Sequence, residues 1–337
     1  MKKTSSALLD RDVIQDYFSL HRSLTKIVFT DNKDARVKDL TKADMCDWWK
    51  DEGYENLNYF YDERNKTAYF TSKSGEFTLS ADASRMFYGF SKLEAIEGTE
   101  KIDTSMVHRM WGAFDGCESL KSLDLSSWDT SFVTNASFMF YNCKSLTDLK
   151  VEKWNTEHMN NIAGIFCGCE SLEELRIDRW NTSNVDDMSY LCNRCLQLKE
   201  LDLSRWDTSK ATDMSGMFAG CGKLDSVSFC RWWNTEKVEK MAEMFKDCKK
   251  LKEIYLTGFD TGSVTDMKRM FSGCRSLEAL GMRAASTALS PETQDIFRGC
   301  ESLTSVEFPS NPLQARSIKT AAAAVIKANT EKRAHVR

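Results

Sequence analysis

Leucines along the chain recur in a repeated pattern. The motif Leu-x-x-Leu-x-Leu returns again and again from residue 120, and its apolar positions alternate with polar ones at a period of two. Such alternation is typical of a β-strand with one buried face. Early copies are Leu120, Leu123, Leu125; Leu146, Leu149, Val151; Leu172, Leu175, Ile177; and Leu198, Leu201, Leu203. Each copy predicts one short strand whose leucines point into a core.

A second pattern, Val-x-x-Met-x-x-Met-Phe, follows each strand segment, as at residues 238–245 and 264–271. Spacings of three, six and seven residues would place these four side chains on one face of a helix. A Thr-Ser pair before the pattern, such as Thr182-Ser183, offers a hydroxyl oxygen for a helix N-cap. The sequence therefore predicts a strand, a turn and a short helix in each unit.

Cysteines set the length of the unit. Eight of them recur every 26 residues, with one gap of 27. A period of this size is typical of a solenoid, in which each unit buries its apolar face against its neighbours. We expect these thiols to be buried and reduced, because free cysteine packs as a small hydrophobic residue with a weak S–H donor. They are Cys117, Cys143, Cys169, Cys195, Cys221, Cys248, Cys274 and Cys300.

A Trp-Asp/Asn-Thr motif separates the two halves of the unit. Neighbouring parallel strands lie ~4.8 Å apart, so equivalent side chains of successive coils touch. We therefore expect one continuous buried aromatic stack, with the Asp or Asn side chain accepting hydrogen bonds from backbone N–H groups at the corner. The tryptophans are Trp128, Trp154, Trp180, Trp206 and Trp233, and Phe259 takes the position in the next unit.

These patterns predict an α/β fold: a right-handed solenoid of the leucine-rich-repeat type with one parallel sheet. About nine 26-residue units occupy residues 86–312. The handedness follows the preference of strand–helix–strand crossovers. A solenoid needs its ends covered, so residues 1–85 are predicted to form an N-terminal α/β cap and residues 313–337 a C-terminal helix.

The N-terminal cap is predicted to contain helices and strands. Apolar spacing indicates a helix over residues 8–20, a strand at 27–29 and a second helix at 39–52. A pair of strands with a turn near residues 63–66 follows.

The C-terminal helix has an apolar stripe and an excess of basic residues. Ile318, Ala322, Val325 and Ile326 form the stripe. Closure of the array is the favoured interpretation. The alternative is a basic arm that binds an acidic partner or a membrane surface.

Composition narrows the possible functions. The net charge of −4 argues against general nucleic-acid binding. No run approaches the ~18 apolar residues of a transmembrane helix, and the opening residues lack the apolar stretch of a signal peptide. We expect no catalytic, cofactor-binding or metal-binding residues, because the four histidines share no useful spacing and no phosphate loop or nucleophile elbow is present.

One cysteine cluster allows another interpretation. Cys167, Cys169, Cys192 and Cys195 form C-x-C and C-x-x-C in adjacent units, which could hold zinc or act as a redox pair. Two of the four belong to the cysteine repeat, and the turn residues of zinc knuckles are missing. Structural cysteines are therefore the favoured interpretation.

The outward positions of the strands are the candidate binding surface. Ten acidic and three basic residues lie there, so the face would attract a basic protein partner. The alternative is a merely solvated face. The predicted partner-binding residues are Asp124, Asp148, Lys150, Glu174, Arg176, Glu200, Asp202 and Tyr255.

The full signature, LDLSRWDTSKATDMSGMFAGC at residues 201–221, resembles the BspA-like leucine-rich-repeat family of bacterial surface proteins. The resemblance covers roughly residues 58–308. It implies non-enzymatic protein recognition, with adhesion or host interaction at the cell surface or after secretion. Since we recognise no signal peptide, a cytoplasmic scaffold or effector subunit of a larger assembly is the alternative.

Overall fold

Repeating coils with parallel strands make up most of the protein. The computed structural model describes residues 6–38, 40, 56–229, 233–256, 258–282, 292–308 and 316–335. They divide into an N-terminal unit, Met1–His158, and a C-terminal unit, Met159–Arg337. In both units equivalent strand residues pair in parallel at an offset of 26, as Leu123 does with Leu149 and Leu201 with Val227. This register confirms a solenoid of leucine-rich-repeat type.

The N-terminal unit begins with a region that has its own sheets. A four-stranded sheet has the order β3-β4-β2-β6, in which only the β3–β4 pair is antiparallel, and a parallel sheet has the order β1-β5-β7. The elements are β1 (Ala7–Leu9), α1 (Arg11–Leu20), β2 (Lys26–Asp31), β3 (Leu57–Asp62), β4 (Thr67–Ser72), β5 (Phe77–Leu79), β6 (Ala95–Glu97) and β7 (Ile102–Asp103), with 3₁₀ turns at Ala35–Val37 and Thr99–Lys101.

The predicted strand at 27–29 and the hairpin that turns at 63–66 are confirmed. The first helix is shorter than predicted, because Leu8 and Leu9 lie in β1 and pair with β5. The predicted helix at 39–52, with Trp48 and Trp49, lies outside the described residues.

The coils contribute short strands and the chain ends in a helix. In the N-terminal unit β8 pairs with β9; in the C-terminal unit β10 pairs with β11, and β12, β13 and β14 form one sheet. The elements are β8 (Ser122–Asp124), β9 (Asp148–Lys150), β10 (Glu200–Leu203), β11 (Ser226–Phe229), β12 (Glu253–Tyr255), β13 (Ala279–Gly281), β14 (Ser305–Glu307) and α2 (Arg316–His335).

The second half of each coil is not helical in the described residues, so the prediction of a short helix there is wrong. It is a run of tight turns. In the segment 214–220 every second N–H group donates to a carbonyl oxygen of the next coil, at 2.7–2.9 Å. The N–H groups of Met217 and Ala219 instead donate three residues back in their own coil. The backbone is therefore satisfied partly by the neighbouring coil.

Left-handed backbone conformations explain why turns replace the helix. Gly216 and Gly220 have φ of +60° and +80°, and Glu243 and Asp247 repeat this in the next coil with +58° and +59°. An α-helix needs negative φ at every residue, so two left-handed residues per coil exclude one. The valine, methionine and phenylalanine side chains of the pattern are buried nonetheless, because the turns also point them inward.

Where the corner residue is tryptophan, its indole connects the coil to the preceding one. The indole N–H of Trp206 donates to the carbonyl oxygen of Ile177 at 2.9 Å, and that of Trp154 to Leu125 at 3.0 Å. The rings of Trp180 and Trp206 are stacked with centroids 6.5 Å apart. The indole thus fills the core and also satisfies a carbonyl that water cannot reach.

The polar residues of the corner have distinct roles. Asp207 accepts a hydrogen bond from the backbone N–H of Ser209 at 2.9 Å, as predicted for the corner Asp or Asn. Thr182 does not cap a helix. Its hydroxyl donates to the carbonyl oxygen of Asp207 in the next coil at 2.8 Å, so this threonine is another link between coils.

A second aromatic stack comes from the phenylalanines that precede the cysteines. Phe218, Phe245, Phe271 and Phe297 follow one another with centroid separations of 5.3, 5.6 and 5.7 Å. Within the C-terminal unit this four-ring stack runs across four successive coils. The tryptophan position therefore supplies only part of the aromatic core.

Side-chain amides lie at both ends of the array. Gln15 of α1 donates to the carbonyl oxygens of residues 85, 86 and 88 at 3.0–3.3 Å. In α2 the buried Asn329 donates to the carbonyl oxygens of Cys300 and Leu303 at 2.9 and 3.1 Å. Ile318 of the predicted stripe is buried. Sequence reasoning missed Asn329, which lies on the stripe but is polar.

Replacement of Gly216 by alanine is expected to destabilise the protein. An added Cβ would lie 2.6 Å from Cδ1 of Tyr190, at a residue with left-handed φ, and such strain costs about 1–3 kcal/mol. Gly222→Ala is the matched control, because its Cβ would meet nothing closer than 4.0 Å. Urea unfolding followed by circular dichroism measures both. Equal unfolding midpoints for the two variants would contradict the proposed strain.

Substitution of Trp206 separates the hydrogen bond from the packing. Trp206→Phe keeps a ring that the corner tolerates at Phe259 but leaves the Ile177 carbonyl unpaired, at a cost of about 1–3 kcal/mol. Trp206→Ala also opens a cavity and is expected to cost about 3–5 kcal/mol. The free energies of unfolding in urea measure both. Wild-type stability of Trp206→Phe would show that the indole N–H contributes nothing.

Candidate functional site

All eight side chains of the predicted binding face are exposed, and they are distributed over both units. Three lie in the N-terminal unit and five in the C-terminal unit. They are Asp124, Asp148 and Lys150, and Glu174, Arg176, Glu200, Asp202 and Tyr255, respectively.

In the N-terminal unit the charges of the face are largely paired. Nζ of Lys150 lies 3.1 Å from Oδ2 of Asp124. Asp124 also accepts hydrogen bonds from the hydroxyl and the backbone N–H of Ser126, at 2.6 and 3.0 Å. These hydrogen bonds lower the pKa of Asp124 to about 2, and the bond from the Ser126 hydroxyl has the largest effect. Asp124 is therefore ionised at neutral pH, but a neighbouring ammonium offsets its charge.

The C-terminal unit holds a cleft of about 460 Å³ on the outward side of the strands. Four carboxylates and one guanidinium surround it, and two leucines and two serines complete its lining. We call it the acidic cleft. Its residues are Glu174, Leu175, Arg176, Asp178, Glu200, Leu201, Asp202, Ser226 and Ser228. The formal charge of the lining is −3.

Few internal contacts reduce the negative charge of the acidic cleft. Nη2 of Arg176 lies 3.6 Å from Oε2 of Glu174, and both side chains are about three-quarters exposed, so this pair contributes only ~0–1 kcal/mol. Hydrogen bonds from Ser204 lower the pKa of Asp202. Asp202 is therefore ionised at neutral pH, and the exposed carboxylate side chains around the cleft are free to contact cationic groups.

Two short side chains create the depression. Ser226 and Ser228 pair in register with Glu200 and Asp202 of the preceding strand. Long side chains on one strand followed by short ones on the next leave an open volume. Sequence reasoning missed the two serines. The available signal was that both outward positions of this strand hold an uncharged residue, whereas those of the preceding strand hold acidic ones.

Tyr255 does not line the acidic cleft. Its hydroxyl donates to Oε2 of Glu253 at 2.9 Å, and its ring lies against Gly281, where an added Cβ would meet Cδ1 at 2.7 Å. Tyr255 is half exposed, at 51%. The structure therefore groups four of the eight predicted residues, Glu174, Arg176, Glu200 and Asp202, in one site.

The clustered cysteines make contacts of a structural kind. Cys167, Cys169, Cys192 and Cys195 are buried free thiols. Sγ of Cys195 donates to the carbonyl oxygen of Phe166 at 3.2 Å, and Sγ of Cys167 lies 3.7 Å from Oδ1 of Asn193. In the part of the chain that the structure describes, no group of three or more His, Cys, Asp or Glu residues is arranged to hold a metal.

The repeated cysteines donate hydrogen bonds between coils. Sγ of Cys274 donates to the carbonyl oxygen of Phe245 at 2.9 Å, and Sγ of Cys300 to that of Phe271 at 3.1 Å. Burial raises the pKa of Cys300 to about 12 and that of Cys274 well above its usual value. The nucleophilic thiolate is therefore suppressed.

Comparison with known proteins identifies one family. The family model described as "Mycoplasma protein of unknown function, DUF285" matches residues 56–151, 142–232 and 226–307. A search of curated proteins finds no match. Among the described residues, no helix is both long and apolar enough to cross a bilayer.

Solved structures with some similarity are leucine-rich-repeat proteins. One from Bacteroides ovatus is 19% identical, covers 71% of this chain and 78% of its own, and has a TM-score of 0.26. A leucine-rich cell surface protein from Faecalibacterium prausnitzii is 14% identical, covers 78% and 96%, and has a TM-score of 0.31. A Leptospira interrogans leucine-rich-repeat protein is 14% identical, covers 68% and 54%, and has a TM-score of 0.30. With such low TM-scores these likenesses carry no argument for function.

Thiol titration tests the role of the cysteines. Ten of the twelve are described, buried and free. We expect no more than two thiols, Cys46 and Cys230, to react with Ellman's reagent within minutes in the native protein at pH 8, and all twelve to react in urea. Rapid reaction of more than two native thiols would contradict the burial of the cysteine repeat.

Proposed function

The chain belongs to the family described as Mycoplasma protein of unknown function, DUF285, and we propose that it is a non-enzymatic protein-recognition module that binds a basic partner in the acidic cleft. The single observation that carries this proposal is the cleft itself, with four carboxylates against one guanidinium. Charge of one sign around a concave surface attracts the opposite charge over a long range and raises the rate of association.

The carboxylates of the cleft are not needed to build a coil. The outward position of Glu200 is occupied by Ser226 in the next strand, and equivalent positions in later strands hold Ala279 and Ser305. A coil therefore also forms with a small neutral residue there, although Glu253 holds the equivalent position in one later strand. Charges that the fold does not require, gathered in one concavity, favour a binding role over a merely solvated face.

The architecture that presents this cleft is proposed to have about nine units over residues 86–312. We propose that residues 1–85 and 313–337 cap its two ends. The bonds from Gln15 to carbonyls of the first coil and from Asn329 to carbonyls of the last support this. Because the Asn329 side-chain amide donates to these carbonyl oxygens, helix α2 fits the role of a cap better than that of a free basic arm.

The biological setting is a finer part of the proposal. The resemblance to BspA-like proteins supports adhesion or host interaction at the cell surface. A scaffold in a reducing compartment is the second candidate, and the ten free cysteines favour it. Fractionation of cells that express the protein, with antibody access to intact cells, separates the two.

A pull-down with matched charge reversals tests the acidic cleft. The double variant Glu174→Lys, Glu200→Lys is expected to lose at least about tenfold in capture of its basic partner, equivalent to ~1.4 kcal/mol. Glu236→Lys, Glu239→Lys is the control, since both residues are exposed and lie outside the cleft. Equal capture of the same proteins by both variants and the wild type would contradict the proposal.

A further inference from the structure

A second cleft lies beside the acidic cleft in the C-terminal unit. It has a volume of about 440 Å³ and is lined by Lys199, Lys223, Asp225, Lys250, Lys252 and Ser276. Four ammonium groups against one carboxylate give a formal charge of +3. The aliphatic stems of lysine supply apolar walls and keep the charged heads in water. We call this concavity the lysine cleft.

Two of these lysines lack the partner that the same position has in other coils. Lys121 pairs with Glu94 of the preceding coil at 2.5 Å, and Lys199 pairs with Glu173 at 2.6 Å. Lys252 occupies the equivalent position, where the preceding coil offers Asp225, but no ion pair forms between the two. Among the described residues Lys250 likewise has no acidic partner within 4.0 Å. The lysine cleft therefore has unpaired positive charge.

The position of Lys250 also shows that this charge is not needed by the coil. The residue immediately before the first leucine of the motif is serine in several coils, including Ser119, Ser145 and Ser276. Lysine at this position is thus dispensable for folding. As with the acidic cleft, the charge exceeds what packing requires.

The two clefts have opposite formal charges of equal magnitude and similar volumes. The acidic cleft has a formal charge of −3 and the lysine cleft +3, with volumes of about 460 and 440 Å³. They share a border, because Lys199 lines one and its neighbour Glu200 lines the other. Two coils line both clefts, one with Lys199 and Glu200 and the next with Asp225 and Ser226, so one molecule presents two adjoining surfaces of opposite charge.

We propose that the lysine cleft is a self-association site whose occupants are the exposed carboxylate side chains of Glu174, Glu200 and Asp202 from the acidic cleft of a second copy of this chain. In a two-fold dimer the same surface of both copies is used, so one interface contains two contacts between an acidic cleft and a lysine cleft. This inference rests on the proposed function in one respect: both use the acidic cleft as a binding surface. The dimer would cover that cleft and compete with a foreign basic partner.

Charge-swapped chains test the dimer by sedimentation at low salt. The acidic variant Lys250→Glu, Lys252→Glu carries two negative clefts, and the basic variant Glu174→Lys, Glu200→Lys carries two positive ones. The wild type is expected to sediment at twice the chain mass of 38.5 kDa. Each variant alone is expected at the chain mass, because like charges face each other. An equimolar mixture of both is expected to return to twice the chain mass.

The control variant is Lys210→Glu, Lys237→Glu, which makes the same change in net charge at exposed lysines outside both clefts. It is expected to remain dimeric, and circular dichroism checks that every variant is folded. A wild type at the chain mass at about 50 mM salt, where screening is weak, overturns the proposal. A dimeric acidic variant or a mixture that stays monomeric also overturns it. Sedimentation measures the mass of the chain without any foreign partner. The dimer can therefore be absent while the pull-down succeeds, and the dimer can form while the pull-down fails.

Discussion

Hydrogen bonding between successive coils is the interaction on which the rest of this structure depends. The turns after each strand send every second N–H group to the neighbouring coil, and tryptophan, threonine and cysteine side chains add further links. A buried polar group without a partner costs about 1–3 kcal/mol. Within the described residues no buried side-chain nitrogen or oxygen lacks a partner. Stability is therefore a property of neighbouring coils together.

The sequence allowed the strands, the period and the parallel register to be predicted, because leucine alternation and the cysteine spacing depend only on which positions are buried. The conformation after Thr182 could not be read from burial, since helices and tight turns both place Val, Met and Phe inward. Glycine directly before several of the repeated cysteines, as at Gly220, was the available signal for left-handed φ. Residues such as Glu243 share that conformation without any such signal.

The candidate site was predicted in part. Outward charges such as Glu174 and Glu200 followed directly from strand alternation. Their grouping did not, because the cleft depends on which neighbours are short, and Ser226 and Ser228 carry no chemistry that draws attention. The lysine cleft was missed for a related reason. Its residues lie just before the strands begin, where the period-two alternation does not predict the direction of a side chain.

The link from Asn329 to the last coil has a consequence for how such chains change in evolution. Every internal coil offers the same pattern of donors and acceptors on its two sides, so a 26-residue block can be duplicated or deleted between them without a new joint. Chains of this design can therefore differ in length by whole coils while the contacts made by Gln15 and Asn329 stay unchanged.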